Sequence, residues 1–305
     1  MTGGAVPVTS SAARDLAAAA QLACLLEASA PKPGNVSPGR RFLDIGYEDF
    51  LASAAAIGGP LAAAGARPLG ETIRVAIDAT AAWTSSNTNL GIVLLLAPLV
   101  RAALVDPQSI SATSLRESLR RVLDATTVDD AREVYAAIRR AAPGGLGRAE
   151  AQDVADEPTV TLVETMRLAA DRDSIAREYA TAFDITFEIS APALERARDD
   201  GLSWNDAVVE TFLYVLAAMP DTHIARRGGE ALAVEVSREA QNVLASGGVR
   251  SADGRAAVAA FDLALRSSDP GNLANPGTSA DLTAAAIFVV LAVGGFRRGH
   301  DAATR

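Results

Sequence analysis

One lysine stands among 28 basic residues, and it is Lys32, framed by Pro31 and Pro33 in the stretch EASAPKPGNVSPGRRFLD from Glu27 to Asp44. An ammonium is a compact point charge and a guanidinium a wide planar fork, so a crowded phosphate or metal-linked phosphate site accepts Lys where it rejects Arg. The placement predicts that Lys32 grips such a phosphate from a stiff loop. The bland alternative is a lysine that survives on a surface loop.

Three more polar clusters border apolar runs. In SSNTNLGIVLLLAPL, Ser85, Ser86, Asn87, Thr88 and Asn89 precede an apolar helix, more polar residues than one N-cap needs, and Gly91 would let a ligand approach the backbone. In MPDTHIARRGGEALAVEV, Asp221, Thr222, His223, Arg226 and Arg227 crowd before Gly228 and Gly229. Paired guanidinium groups beside exposed glycine backbone suit a polyphosphate, although Asp221 also reads as an N-cap and the arginines as a solvated face. In DPGNLANPGTSADLTAAAIFVV, Asp269, Asn272, Asn275 and Asp281 flank a helix start, where capping and ligand binding are equally good readings. Asp171 and Asp173 are weaker candidates, because Asp173 and Arg177 have the i,i+4 spacing of a solvated ion pair.

The elements that must hold these clusters read as helices. Ala and Leu recur at three and four spacing, and Gly/Pro clusters punctuate at 31–39, 58–70, 143–147, 219–229 and 269–277. Ser114 with Glu117, Ser203 with Asp206, and Thr278 with Asp281 have capping-box spacing, and Pro158 suits a first helical turn. The pattern predicts roughly ten to twelve helices and little or no sheet. The fold class is all-α, a single compact multi-helix domain over 1–305, with residues 1–10 expected to be disordered. No G-x-G-x-x-G or P-loop follows a strand, which argues against a nucleotide-binding parallel sheet.

Composition narrows the function. The net charge of −9 opposes a nucleic-acid partner held through a broad basic face, so phosphate binding must be local. The longest apolar runs, 90–100 and 284–296, fall short of the roughly 20 residues a membrane span needs. With no secretory pattern at the N-terminus and a lone Cys24 that reads as buried filler, a cytoplasmic location is expected. A chain with this much Ala/Leu/Val helix can bury one more apolar face in a homodimer, which is the guess for assembly.

On PKPGNV, NTNLG, DTHIARRGG and NPGTSADL, in this order between residues 31 and 282, the chain resembles the triphosphoribosyl-dephospho-CoA synthase family. TTVDDAREVYAAIRRAAPGGLG and EPTVTLVETMRLAADRDSIAREY are similar to a subgroup typical of archaea and some bacteria. The resemblance implies an enzyme that joins the ribose C1′ of ATP to the 2′-hydroxyl of 3′-dephospho-CoA and releases adenine, with Mg²⁺ bridging triphosphate and carboxylates. It implies a catalytic set of Lys32, Asp221 and Glu27, with Asp221 or Glu27 as proton acceptor. Asn87, Thr88, Asn89, Gly91, Arg226, Arg227, Gly228 and Gly229 are then expected on the nucleotide, Asn35, His223 and Asn275 on the acceptor, and Asp44, Asp221 and Asp281 on the metal. Two departures bear on the acceptor: no histidine follows the PKPG segment, and His223 stands where many relatives carry Asn. Two other readings stay open, the same fold and donor with another acceptor, such as a precursor of a one-carbon carrier cofactor, and a helical nucleotide-binding protein without turnover.

Overall fold

Runs rich in Ala and Leu favour helix, because those side chains lose little rotamer freedom against the preceding turn. The computed structural model describes residues 10–267 and 273–296, so residues 1–9, Asp269 and Asn272 lie outside the described residues. Fifteen α-helices form among them. The first seven are α1 (Ser11–Ser29), α2 (Tyr47–Ala56), α3 (Gly58–Ala62), α4 (Leu69–Ala81), α5 (Leu90–Ala103), α6 (Ala112–Asp124) and α7 (Val128–Ala141). After a long loop come α8 (Leu162–Ala169), α9 (Ser174–Thr181), a π-helical turn (Ile185–Ser190) and α10 (Ala191–Asp199). The chain continues through α11 (Trp204–Ala218), α12 (Thr222–Gly228), α13 (Glu230–Ala245), α14 (Ala252–Ser267) and α15 (Gly277–Gly294). No strand forms among the described residues, and the one β-type pairing is an isolated bridge between Ser37 and Arg40. The fold is all-α. The helices outnumber the expected ten to twelve because α3, α8, α9 and α12 are only 5–8 residues long, too short for a clear periodicity.

Helix α15 is the axis of the core. Its residues from Ala284 to Leu291 are all buried, and it packs against α1, α5, α10 and α11. A helix apolar all round has no solvent face and must be surrounded. By length and composition alone α15 could cross a membrane, yet 72% of it is buried inside the fold. The cluster of buried apolar side chains extends from Leu16 in α1 to Leu291 in α15.

The starts and stops correct several local expectations. Helix α6 is capped by Ser111, with Ser114 as its capping-box partner, so Ser114 stands inside the first turn. Ser203 does cap α11, accepting from Asp206 N. Thr278 is no cap, since α15 begins at Gly277 after Pro276. Pro158 lies ahead of α8, which Thr161 and Glu164 close as a reciprocal capping box.

Helices α4 and α7 meet at Gly70, whose N–H donates to Asp130 Oδ1 at 2.7 Å. A Cβ at Gly70 would stand 2.4 Å from the Asp130 carbonyl oxygen. Gly70→Ala is therefore expected to lower the urea midpoint, at a cost of about 1–3 kcal/mol. Gly59→Ala, where a Cβ meets nothing within 4 Å, is the control and should hold or raise it. Equal midpoints for wild type and Gly70→Ala would show that the two helices part easily.

Candidate active site

One large cleft, about 1480 Å³, opens between the loops that join these helices. Its wall is drawn from the turn at 42–45, the start of α5, the end of α7 and the loop after it, the α8–α9 junction, α12 and the start of α15. Of the predicted residues, Asp44, Asn87, Gly91, His223, Arg226, Arg227, Asn275 and Asp281 line it. Glu27, Lys32, Asn35, Thr88, Asn89, Asp221, Gly228 and Gly229 are not on its wall.

Lys32 differs most from its expectation. It is 1% exposed, and its Nζ binds Glu27 Oε1 at 2.8 Å, the Glu27 carbonyl, and the Ala30 carbonyl at 3.4 Å. The ammonium closes the C-terminal end of α1, where carbonyls lack intrahelical partners. A sealed hole of three oxygens suits a point charge and has no room for a guanidinium fork. The proline-framed Lys is explained by packing, and Glu27 is consumed in the same pair. The rest of the PKPGN loop is tied to α14: Gly34 N donates to Asp262 Oδ1 at 2.9 Å, and Arg266 donates to the Asn35 carbonyl. Gly34 has φ +73°, and a Cβ there would press on Leu265. Asn35 reaches the cleft through Asn275, donating from Nδ2 to Oδ1 at 2.5 Å, and the Asn275 amide nitrogen has no partner among the described residues.

The polar turn before α5 divides. Asn87 Oδ1 accepts from Leu90 N at 3.1 Å and lines the cleft with Ser85 and Ser86. Thr88 bonds Ser53, and Asn89 donates to Thr80 at 3.0 Å, so both are spent on α2 and α4. Gly91 makes room for protein, not ligand: a Cβ would lie 2.0 Å from Asp281 Oδ2 and 2.7 Å from Ile175 Cδ1.

Asp221 is a hub beneath the wall. One carboxylate oxygen accepts from His223 N and Ile224 N at 2.9 and 3.1 Å, capping α12, and the other accepts from Ser279 N and Oγ at 2.7 and 2.8 Å. Burial pushes its carboxyl upward while these donors oppose the shift. Thr222 Oγ1 completes the joint by accepting from Ser174 N and donating to Thr278 Oγ1, both at 3.2 Å. Gly229, at φ +93°, ends α12 by donating to the Ala225 carbonyl.

Asp281 is the carboxyl that the cleft receives. It has no hydrogen bond or ion pair among the described residues, and it is raised well above the usual carboxylate range by burial, then by Glu27, Asp221 and Asp173, against the pull of Arg226. Asp173 is not the partner of Arg177. It caps α9 through Ile175 N and Ala176 N at 2.9 and 3.0 Å and pairs with Arg226 at 3.4 Å, while Arg177 pairs with Asp184 at 2.7 Å. Asp44, Asp221 and Asp281 do not assemble a metal site, because Asp221 is filled by four donors and no group of three His, Cys, Asp or Glu side chains able to hold a metal occurs among the described residues.

Arg226 Nε donates to the Gly144 carbonyl at 3.0 Å, and Arg227 Nη1 lies 3.3 Å from His223 Nε2. Guanidinium only donates, so Nε2 accepts and the ring proton sits on Nδ1. Burial, then Arg226 and Arg227, lower the His223 pKa from 6.5 to about 3. The loop after α7 carries part of the subgroup resemblance but was assigned no site role. Gly145, at φ +78°, lies against Arg226, where a Cβ would be 2.9 Å from its carbonyl oxygen. Its signal was PGGLG, a glycine cluster at the end of the TTVDDAREVYAAIRRAAPGGLG stretch.

The CitG family model, ATP:dephospho-CoA triphosphoribosyl transferase, matches residues 13–298. The chain is 33% identical over 115 residues to the 2-(5''-triphosphoribosyl)-3'-dephosphocoenzyme-A synthase of Klebsiella pneumoniae, a segment covering 37% of this chain and 40% of that protein. It is 34% identical over 112 residues to the enzyme of the same name from Escherichia fergusonii, covering 37% and 36%. The chain thus spans about two fifths of the length of these curated relatives. A crystal structure from Archaeoglobus fulgidus, described as a triphosphoribosyl-dephospho-CoA synthase, superposes with a TM-score of 0.64 at 29% identity, over 81% of this chain and 99% of that one.

Two outcomes follow from this geometry. Lys32→Ala leaves Glu27 buried and unpaired, so it should unfold about 3–5 kcal/mol more easily, and Lys32→Arg should also be destabilised; unchanged melting for both would overturn the buried-pair account. His223 stays neutral in the folded protein while the unfolded chain protonates below 6.5, so its contribution to stability is lost as pH falls from 6.5 toward 3, by up to about 1.4 kcal/mol per pH unit. The chain has two histidines, so nitrogen NMR can follow His223 directly; titration near 6.5, or a proton on Nε2, would refute it.

Proposed function

Because this chain belongs to the ATP:dephospho-CoA triphosphoribosyl transferase family, we propose that its cleft transfers the 5-triphosphoribosyl group of ATP to the 2′-hydroxyl of 3′-dephospho-CoA. The observation that carries this reading is convergence: Asn87, His223, Arg226, Arg227, Asn275 and Asp281, from three separate stretches of sequence, share one wall. The cleft exceeds the roughly 300–1,000 Å³ of an ordinary small-molecule pocket, in keeping with two substrates held at once.

The triphosphate lies against Arg226, Arg227 and the backbone of Gly144, where guanidinium donors meet phosphate oxygens. The starts of α5, α9 and α15 add partial positive charge to the same wall. A divalent cation arriving with the triphosphate would offset its charge, while no group of side chains among the described residues forms a metal cage of its own. Asn275 and the Nδ1–H of neutral His223 supply hydrogen bonds without adding charge.

The proton-acceptor role passes from Glu27 and Asp221 to Asp281, since of these three only Asp281 lines the cleft. As the acceptor oxygen bonds to C1′, its proton moves to the Asp281 carboxylate. The bond from C1′ to adenine N9 breaks, its electron pair leaves with the base, and adenine departs after taking up a proton. Its surroundings raise the proton affinity of this carboxyl above that of an ordinary aspartate.

The test is adenine release from ATP with dephospho-CoA present, with mass spectrometry of the acceptor. A mass gain of one triphosphoribosyl group supports the reading. Adenine release with a different acceptor modified replaces the substrate, and no release at all sinks the enzymatic reading. Asp281→Asn should lose roughly 10²–10⁴ in turnover while ATP still protects the protein against heat. Full activity in that variant would remove Asp281 from the chemistry.

A further inference from the structure

Two arginines on the cleft wall have no part in the reading above. Arg139, near the end of α7, donates from Nη1 to the Val154 carbonyl at 2.6 Å, and Arg172, between α8 and α9, donates to the Leu168 carbonyl at 3.5 Å. Neither forms an ion pair among the described residues, whereas Arg177 and Arg226 on the same wall pair with Asp184 and Asp173. Each guanidinium carries five N–H donors, so both keep most of their capacity for a ligand.

The loop between them is held in place. Asp153 accepts from Ala149 N and Ala155 N at 2.5 and 2.8 Å, and Tyr135 Oη donates to the Gln152 carbonyl at 2.5 Å. The one carboxylate in this loop that faces Arg172 is thus already engaged by backbone, and Arg172 adds to the field that keeps it ionised. Arg172 is also the neighbour of Asp173, which pairs with Arg226, so the two basic groups flank one acid.

The transfer brings together two polyanions, the triphosphate of ATP and the diphosphate of dephospho-CoA. Like charges in one seat repel strongly in a partly desolvated cleft, so each needs its own cations. We propose that Arg139 and Arg172, with the loop at 149–155, form a second anion seat that takes the diphosphate of the acceptor, beside the Arg226–Arg227 seat of the donor and separated from it by Asp173. This rests on the two-substrate reading and deepens it. The seat fixes the register of the acceptor, because the diphosphate is joined to the ribose whose hydroxyl attacks.

The experiment is calorimetric binding of dephospho-CoA, adenosine and ATP, each separately, to wild type and to Arg139→Gln, Arg172→Gln and the double variant. Both side chains are exposed, so the variants should melt with wild type. Each single change should weaken dephospho-CoA binding by roughly tenfold to a hundredfold, the range for a lost charge-assisted hydrogen bond, while ATP binding holds within about twofold and adenosine, which lacks a diphosphate, binds all four proteins alike. Weakened ATP binding with unchanged dephospho-CoA binding would assign these arginines to the donor and overturn the seat. Unchanged binding of both, or no binding of dephospho-CoA to wild type, overturns it too. Dephospho-CoA binding that depends on the arginines, without adenine release, would uphold the seat and sink the reaction.

Discussion

A single buried carboxylate, Asp221, joins the parts of the cleft. It is 2% exposed and accepts from two backbone N–H groups at the start of α12, and from the backbone and hydroxyl of Ser279 in α15. A carboxylate taken out of water is tolerated only when its lone pairs are filled, and here four donors fill them. Arg226, Arg227 and His223 ride on α12, and Asp281 on α15. The distance between the cations and the carboxyl of the site therefore depends on a residue that touches no ligand.

The cleft sets acids beside cations without cancelling them. Asp173 is held by its own helix cap and by Arg226, whereas Asp281 stands unpaired among Glu27, Asp221 and Asp173. A bare carboxyl in acidic surroundings is unfavourable, and the packing that enforces it is visible at Gly91, where any side chain would collide with Asp281. Such a group gains from a cationic or hydrogen-bonding ligand.

The Glu27–Lys32 pair shows how a motif can be structural and still serve function. It seals the end of α1 under the cleft, and the loop it anchors reaches the wall through the bond from Asn35 to Asn275. Fastened to α14 by Asp262 and Arg266, this loop orients an amide at the site while keeping its own charge inside.

By itself the sequence determined the helical class and most of the core, since those follow from Ala/Leu periodicity and from uninterrupted runs such as α5 and α15 that can only be buried. It also tied four polar clusters together, through the resemblance of PKPGNV, NTNLG, DTHIARRGG and NPGTSADL, in that order, to one family. It did not determine which side chains within them reach the cleft. Loops have no period from which a direction can be read, so Lys32 and Asn87 looked equivalent until one was found sealed under α1 and the other on the wall. Asp221 looked catalytic because its partner Ser279 lies 58 residues away. Arg139, Arg172 and the glycines at 144–147 lie in stretches that resemble the family subgroup but marked no candidate site, and they line the cleft, Gly145 excepted, because the end of α7, the loop after it and the α8–α9 junction meet there. Those assignments are long-range contacts, and only tertiary packing decides which distant residue fills a given hole.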